Sequence, residues 1–212
     1  GLCFLNLRGK MAKFLNKKSC FVGKNVSFGK NVVICENNHL ENCVIGDNCF
    51  LYPNNFICDS VIGKNCTLHA SVVEKSKIKD NVSLGPYARV RPQSIIEDNC
   101  KIGNFVEIKN STIGDNTKIS HLAYVGDCEI GRGCNIGCGV IFANYNGKVK
   151  NKCIVKDHVF IGSNCNIIAP VNIESDSYIC AGTTVTEDVK KDDFVIGRVR
   201  QENKPNKAKK YW

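Results

Sequence analysis

The chain has 212 residues, 43% of them hydrophobic, and 29 lysines and arginines against 20 aspartates and glutamates, for a formal charge of +9. No apolar run is long enough to span a bilayer, and no apolar N-terminal stretch ends in a small-residue cleavage site, so neither a spanning helix nor a secretory signal is expected. The basic balance suits an anionic partner, but the lysines are scattered except in the tail "NKPNKAKKYW", and no nucleic-acid-binding signature is present.

Residues 1–20 place Leu7, Met11, Phe14 and Leu15 at helical spacing among lysines, which predicts a short lead-in helix. From residue 21 to residue 197 the chain repeats. An aliphatic residue or Phe followed by Gly recurs at Val22, Phe28, Ile45, Ile62, Leu84, Ile102, Ile113, Val125, Ile130, Ile136 and Ile161. Many units are six residues apart, as from Ile130 to Ile136 and from Val155 to Ile161. The position four after the apolar residue is nearly always small or β-branched, as at Val26, Cys49, Cys66, Ala88, Cys100, Thr117, Cys134 and Cys165. A period of six fits neither an amphipathic helix nor a hairpin strand. It fits a parallel β-helix of hexapeptides with three faces per coil, so that residues about 18 apart stack. Gly, Asn and Asp in turns such as "GDN" and "GKN" are expected to take positive φ. Residues 198–212 form a basic tail without the repeat.

The 14 cysteines contain no CxxC pair, and five of them fall on small inward positions, where Cys acts as a small hydrophobe. Free thiols and a reduced, cytoplasmic compartment are expected. His39, His69, His121 and His158 share no short spacing, so no metal site is expected.

Three features depart from a plain scaffold. Arg91 and Lys109 are 18 apart and each follows an aliphatic residue where Gly is usual, which stacks two cations. They read as solvated surface charges or as a clamp for phosphate. His121 shares the next coil and a half with Tyr124, Asn135, Asn144 and Tyr145. After Ile136 the register is lost until Val155, with about seven extra residues including "NYNGKVK". A loop pushed out of a solenoid face commonly carries the site.

The repeat resembles the hexapeptide-repeat acyltransferase superfamily, which implies a left-handed β-helix. "LGPYARVRP", "GNFVEIKNSTIG", "HLAYVGDCEIG", "NIGCGVIFANYNG" and "AGTTVTEDV" closely resemble the C-terminal half of the bacterial bifunctional N-acetylglucosamine-1-phosphate uridyltransferase/glucosamine-1-phosphate acetyltransferases. Nothing here resembles the nucleotide-binding half of that family; a free-standing acetyltransferase and a piece of a longer protein both fit. The resemblance implies transfer of acetyl from acetyl-CoA to the amine of glucosamine 1-phosphate, on the route to UDP-N-acetylglucosamine for the cell envelope, by a homotrimer with sites between subunits. It makes His121 the general base. It assigns Arg91, Lys109 and Lys150 to the sugar phosphate, and Tyr124 and Asn135 to the sugar. It assigns Cys138, Asn144, Tyr145, Ser163, Ala181 and Arg198 to acetyl-CoA, with Cys138 where the family usually has Ala. Glu107, one coil below Tyr124, reads as orienting the site or as balancing Lys109. The amine must be neutral to attack the thioester, an imidazole can take its proton, and no covalent intermediate is needed. The competing readings are a hexapeptide acyltransferase with another amino-sugar or hydroxyl acceptor, a metal-dependent carbonic anhydrase, which lacks convergent histidines here, and a non-catalytic β-helix scaffold.

Overall fold

The computed structural model describes residues 3–6 and 11–211. From Met11 onward the chain winds as a left-handed parallel β-helix. Most strands are two or three residues long, and each apolar residue of the repeat stacks on its counterpart in the next coil. One stack runs Val73, Val90, Ile108, Val125, with every side chain buried. Among the described residues the ladders form one sheet of 20 strands and one of nine. The small residues four positions on are also buried, from Val26 and Cys49 to Cys165 and Thr183. The prism is thus filled by large residues at one position and small ones at another, at about 1.5–3 kcal/mol for each large aliphatic buried.

The stacking interval is not a constant 18. It is 18 from Val90 to Ile108, 17 from Val73 to Val90 and 16 from Ile57 to Val73. One face is often five residues long, as from Ile108 to Ile113, because a single left-handed residue such as Asn110 (φ 47°) closes its corner. The corner residues with positive φ are mostly Asn and Asp, such as Asn48 (58°) and Asn65 (55°), while the repeat glycines Gly46 and Gly63 are not left-handed. Those glycines answer a different need. A Cβ on Gly46 would run into the carbonyl of Gly63 in the coil above. The corner asparagines bond to each other along the stack, with Asn48 Nδ2 donating to Asn65 Oδ1 at 3.1 Å.

The helical reading of the lead-in is overturned. Met11–Phe14 is a strand, parallel to Val32–Ile34 and antiparallel to Cys3–Asn6. Ala12 and Phe14 are buried and Lys13 is exposed, a period of two. Phe14 meets Phe28 edge-on at 5.9 Å, so core packing wins over the helical spacing, of which Leu7 lies outside the described residues. The helical content here is one turn at Lys17–Ser19. Coil pairing therefore begins at Met11, ahead of residue 21. The tail from Arg198 to Tyr211 is exposed, with one short turn at Lys207–Lys210. No helix among the described residues is long and apolar enough to cross a membrane.

The 13 cysteines from Cys20 to Cys180 are free, and most are buried. Their thiols donate to carbonyls of the adjacent coil, as Cys100 does to Gly114 at 3.1 Å. Burial pushes the Cys43 thiol up to about 12 and that of Cys100 to about 11. Thiolate is the reactive form. Brief iodoacetamide treatment of the folded protein is therefore expected to label exposed Cys138 well ahead of Cys43 and Cys100, which should react only after denaturation. Peptide mass spectrometry checks this, and equal labelling of Cys43 and Cys138 would contradict the packing role.

Candidate active site

Two strands differ from the rest. Lys101–Lys109 and Lys118–Gly126 are each nine residues long and stay paired around a corner of the prism. Phe105 and Leu122 turn that corner with φ of 56° and 39°. Positive φ is uncommon for bulky side chains, and such local strain gathers at functional sites. Asn104 and His121 sit just before the corner, stacked in register, with Asn104 Oδ1 2.7 Å from His121 Nδ1. An amide oxygen only accepts, so in the neutral ring Nδ1 carries the hydrogen and donates it. That leaves the lone pair on Nε2 of an exposed ring, the arrangement a general base needs.

Ile119, Ile136, Ile161 and Ile179 stack in register. Two residues after each come His121, Cys138, Ser163 and Ala181, which therefore lie along one edge, one coil above another. Each step is roughly 4.8 Å, so the edge climbs roughly 14 Å from His121 to Ala181. Asn164 N–H bonds the Cys138 carbonyl and Gly182 N–H bonds the Ser163 carbonyl, both at 2.8 Å. The edge is exposed and its side chains above His121 are small, which leaves backbone accessible. A Cβ added to Gly182 would meet Arg198 Cδ at 3.6 Å, so Arg198 lies over the upper end.

The face that follows the His121 corner carries Tyr124 and ends at a second corner, where the cations are. Val90 stacks on Ile108, which puts Arg91 and Lys109 one above the other, as the spacing predicts. Each has its own carboxylate. Arg91 Nη1 is 2.8 Å from Glu107 Oε1, and Lys109 Nζ is 3.4 Å from Asp127 Oδ2. Glu107 thus balances Arg91 and not Lys109, and it stands in register with Tyr124. Lys150 of the loop reaches the same place, where the Lys109 ammonium pulls its titration down and Arg91 adds to the effect. Three cations meet two carboxylates. Beside them is a cleft of about 440 Å3 whose lining includes Asn110, Asp127, Glu129, Lys150 and Lys152.

The register break is a loop between the strands Ile141–Ala143 and Cys153–Val155. Tyr145 and Lys150 form an antiparallel bridge across it, and Asn151 N–H closes its base on the Asn144 carbonyl at 2.7 Å. Tyr145 is exposed and its hydroxyl donates to the Gly147 carbonyl at 2.7 Å. Asn144 turns inward instead. Its side chain is buried, donates to Asp127 Oδ2, and lies 3.5 Å from the Tyr124 hydroxyl. Burial pushes the Asp127 carboxyl up, but the donors Asn110 and Asn144 and the Lys109 ammonium outweigh it and hold the group below the usual carboxylate range.

The expected site residues therefore fall in two groups on one chain. His121, Cys138, Ser163, Ala181 and Arg198 follow one edge. Arg91, Lys109, Lys150 and Asn144 gather at the next, with Tyr124 on the face between. Asn135 is set apart: its column, Lys118 to Phe160, lies on the far side of the His121 edge from Tyr124. Reading the sequence alone misses Asn104 and Asp127. Both are one coil from a residue it does find, Asn104 below His121 and Asp127 below Asn144, so the stacking register was the available signal.

The hexapeptide-repeat model of succinyl-transferases matches residues 153–187, and the model of the GMPPB C-terminal domain matches residues 72–146. The bifunctional protein GlmU of Clostridium beijerinckii is 47% identical over 190 residues, covering 89% of this chain and 42% of that protein. The GlmU of Caldicellulosiruptor saccharolyticus is 55% identical over 134 residues, 63% of this chain and 29% of that one. Among solved structures, an Arabidopsis UDP-N-acetylglucosamine acyltransferase aligns with TM-score 0.59 at 25% identity, over 82% of this chain and 68% of that one. LpxA from Bacteroides fragilis, at 20% identity and TM-score 0.53, shares the fold. In its repeat and its fold the chain resembles the hexapeptide-repeat acyltransferases. Within them it is similar to the C-terminal acetyltransferase part of the bifunctional GlmU proteins, and it spans about two fifths of the length of the C. beijerinckii relative.

Proposed function

We propose that the chain transfers acetyl from acetyl-CoA to the amine of glucosamine 1-phosphate. The observation that carries this is the pairing of an exposed His121, oriented by Asn104, with a cation cluster one face away. In this reading His121 Nε2 takes the proton from the sugar amine. The nitrogen lone pair attacks the thioester carbonyl, the C–S bond breaks, and coenzyme A leaves as a thiol once protonated by the imidazolium. The thioester lies along the edge of Cys138, Ser163 and Ala181, with Tyr145 and Asn144 at the loop and Arg198 at the upper end. Arg91, Lys109 and Lys150 take the phosphate, a group that multiple cations bind well. Tyr124 and Asn135 hold the sugar. Both substrates are met in the cytoplasm, where the buried thiols stay reduced.

The decisive experiment incubates the protein with acetyl-CoA and glucosamine 1-phosphate and follows both thiol release and N-acetylglucosamine 1-phosphate. Thiol release with glucosamine but not with its 1-phosphate would overturn the acceptor assignment.

The active form in this reading is a homotrimer. Tyr87, Phe105 and Leu122 are all more than half exposed and form an apolar ladder at the very corner that carries His121. Asn135 faces away from Tyr124, so a site using both draws on two chains. A mixture of a His121→Ala chain with a chain altered at Asn144 and Tyr145 is expected to regain activity that neither has alone. A fully active monomer by light scattering would defeat the shared site and leave the chemistry standing.

A further inference from the structure

We propose that Asp127 is a positioning residue that ties the phosphate-facing Lys109 and the cofactor loop into one unit, so that both substrate sites are set together; this rests on the acetyltransferase reading above. The connections are five. Asp127 N–H bonds the Lys109 carbonyl at 3.0 Å, and the Asp127 carboxylate lies 3.4 Å from Lys109 Nζ. At the loop, Asn144 Nδ2 donates to Asp127 Oδ2, and Cys153 N–H bonds the Asp127 carbonyl at 3.2 Å. Asn144 opens the loop and Cys153 follows it, so both of its ends are anchored on this one residue. Asn110 Nδ2 completes the set at 2.6 Å from Oδ1.

The fold alone does not ask for this. The corner needs a residue that accepts positive φ, and Asp127 (53°) supplies it as Asn110 (47°) does one coil below. Asp59 occupies the same corner far from the loop. It takes one bond from Asn42 and stays exposed. Asp127 is only 9% exposed and is met by three side-chain donors. A buried carboxylate is costly unless it is paired and hydrogen-bonded, and each of these partners belongs to or borders a substrate site. A shift of the carboxylate would therefore move the Lys109 ammonium and the loop carrying Tyr145 together.

Asp127→Asn keeps the size and the left-handed preference but turns one acceptor into an NH2 facing donors. In steady-state kinetics on the full chain, the KM for glucosamine 1-phosphate and the KM for acetyl-CoA are expected to rise together, each about tenfold, with kcat nearly kept. Arg91→Ala should raise the first alone. Trypsin reads the anchoring without any activity: cleavage after Lys148 and Lys150 should quicken in Asp127→Asn at an unchanged melting temperature. A wild-type chain without acetyl transfer would overturn the functional reading, while the protease rate still tests the anchor. A rise in one KM only, a fall in kcat with both KM kept, or an unchanged cleavage rate would each overturn the proposal. Should Asp127→Asn fail to fold, Asn110→Gly removes one holding donor at a corner glycine tolerates. It should raise both KM by a smaller factor, and no change there would likewise overturn it.

Discussion

Replacing His121 by Ala is expected to lower kcat by a factor on the order of 10²–10⁴ while leaving both KM nearly unchanged, the signature of a group that acts only in the transition state. The ring is exposed at the corner, and its one hydrogen bond is to Asn104. It therefore contributes little to holding either substrate in the ground state. Its value lies in an Nε2 lone pair aimed outward by the bond at Nδ1. Asn104→Ala, which frees the ring to turn and to change tautomer, should show a weaker version of the same loss. Initial rates with each substrate varied in turn check both variants. A His121→Ala chain with wild-type kcat would remove this residue from the base role.

Gly103→Val is expected to destabilise the fold strongly. A Cβ at this position would collide with the Ser120 carbonyl of the coil above, and a backbone carbonyl has no rotamer to escape into. Overpacking costs up to about 3 kcal/mol where the surroundings must shift. The coil that has to give way holds His121 next to Ser120, and Asn104 follows Gly103 directly. Spreading these two strands would pull Asn104 from His121. Chemical denaturation should show an earlier midpoint, and kcat per folded molecule should fall as well. A variant with wild-type midpoint and kcat would show that the coils are free to separate at this edge.

The solenoid was legible because its core positions repeat with few exceptions: a large apolar residue, then a small one four later. Cys49, Cys66, Cys100, Cys134 and Cys165 could be recognised as packing residues for the same reason. The lead-in was misread because Met11, Phe14 and Leu15 happen to sit at helical intervals, while the buried pair that decides the matter, Ala12 and Phe14, is too short to announce a strand. The coil length varies because a corner closed by one left-handed residue saves a position, and such corners look alike in sequence whether five or six residues follow. The candidate site was legible where polar residues interrupt the pattern, at Arg91, Lys109, His121 and the loop. Asn104 and Asp127 were not. Asparagine and aspartate are the ordinary corner residues of this chain, so neither stands out until the register shows which side chains they face.

Stacking also governs which changes of length the chain tolerates. Each coil takes its hydrogen bonds from the coil beside it, so one residue inserted in a strand would turn apolar side chains outward and shift the path of everything beyond it. A whole coil could be added above Ala181 without disturbing His121, but it would carry Arg198 away from that histidine by one full rung. Between these extremes lies the outlying hairpin, where a Cβ added to Gly147 would meet nothing within 4 Å. Apart from the single residue that a corner can save, variation in length should therefore come in steps of a whole coil or be confined to that tip. The spacing between His121 and the far end of the exposed edge at Ala181 becomes a counted quantity that drift cannot adjust by fractions.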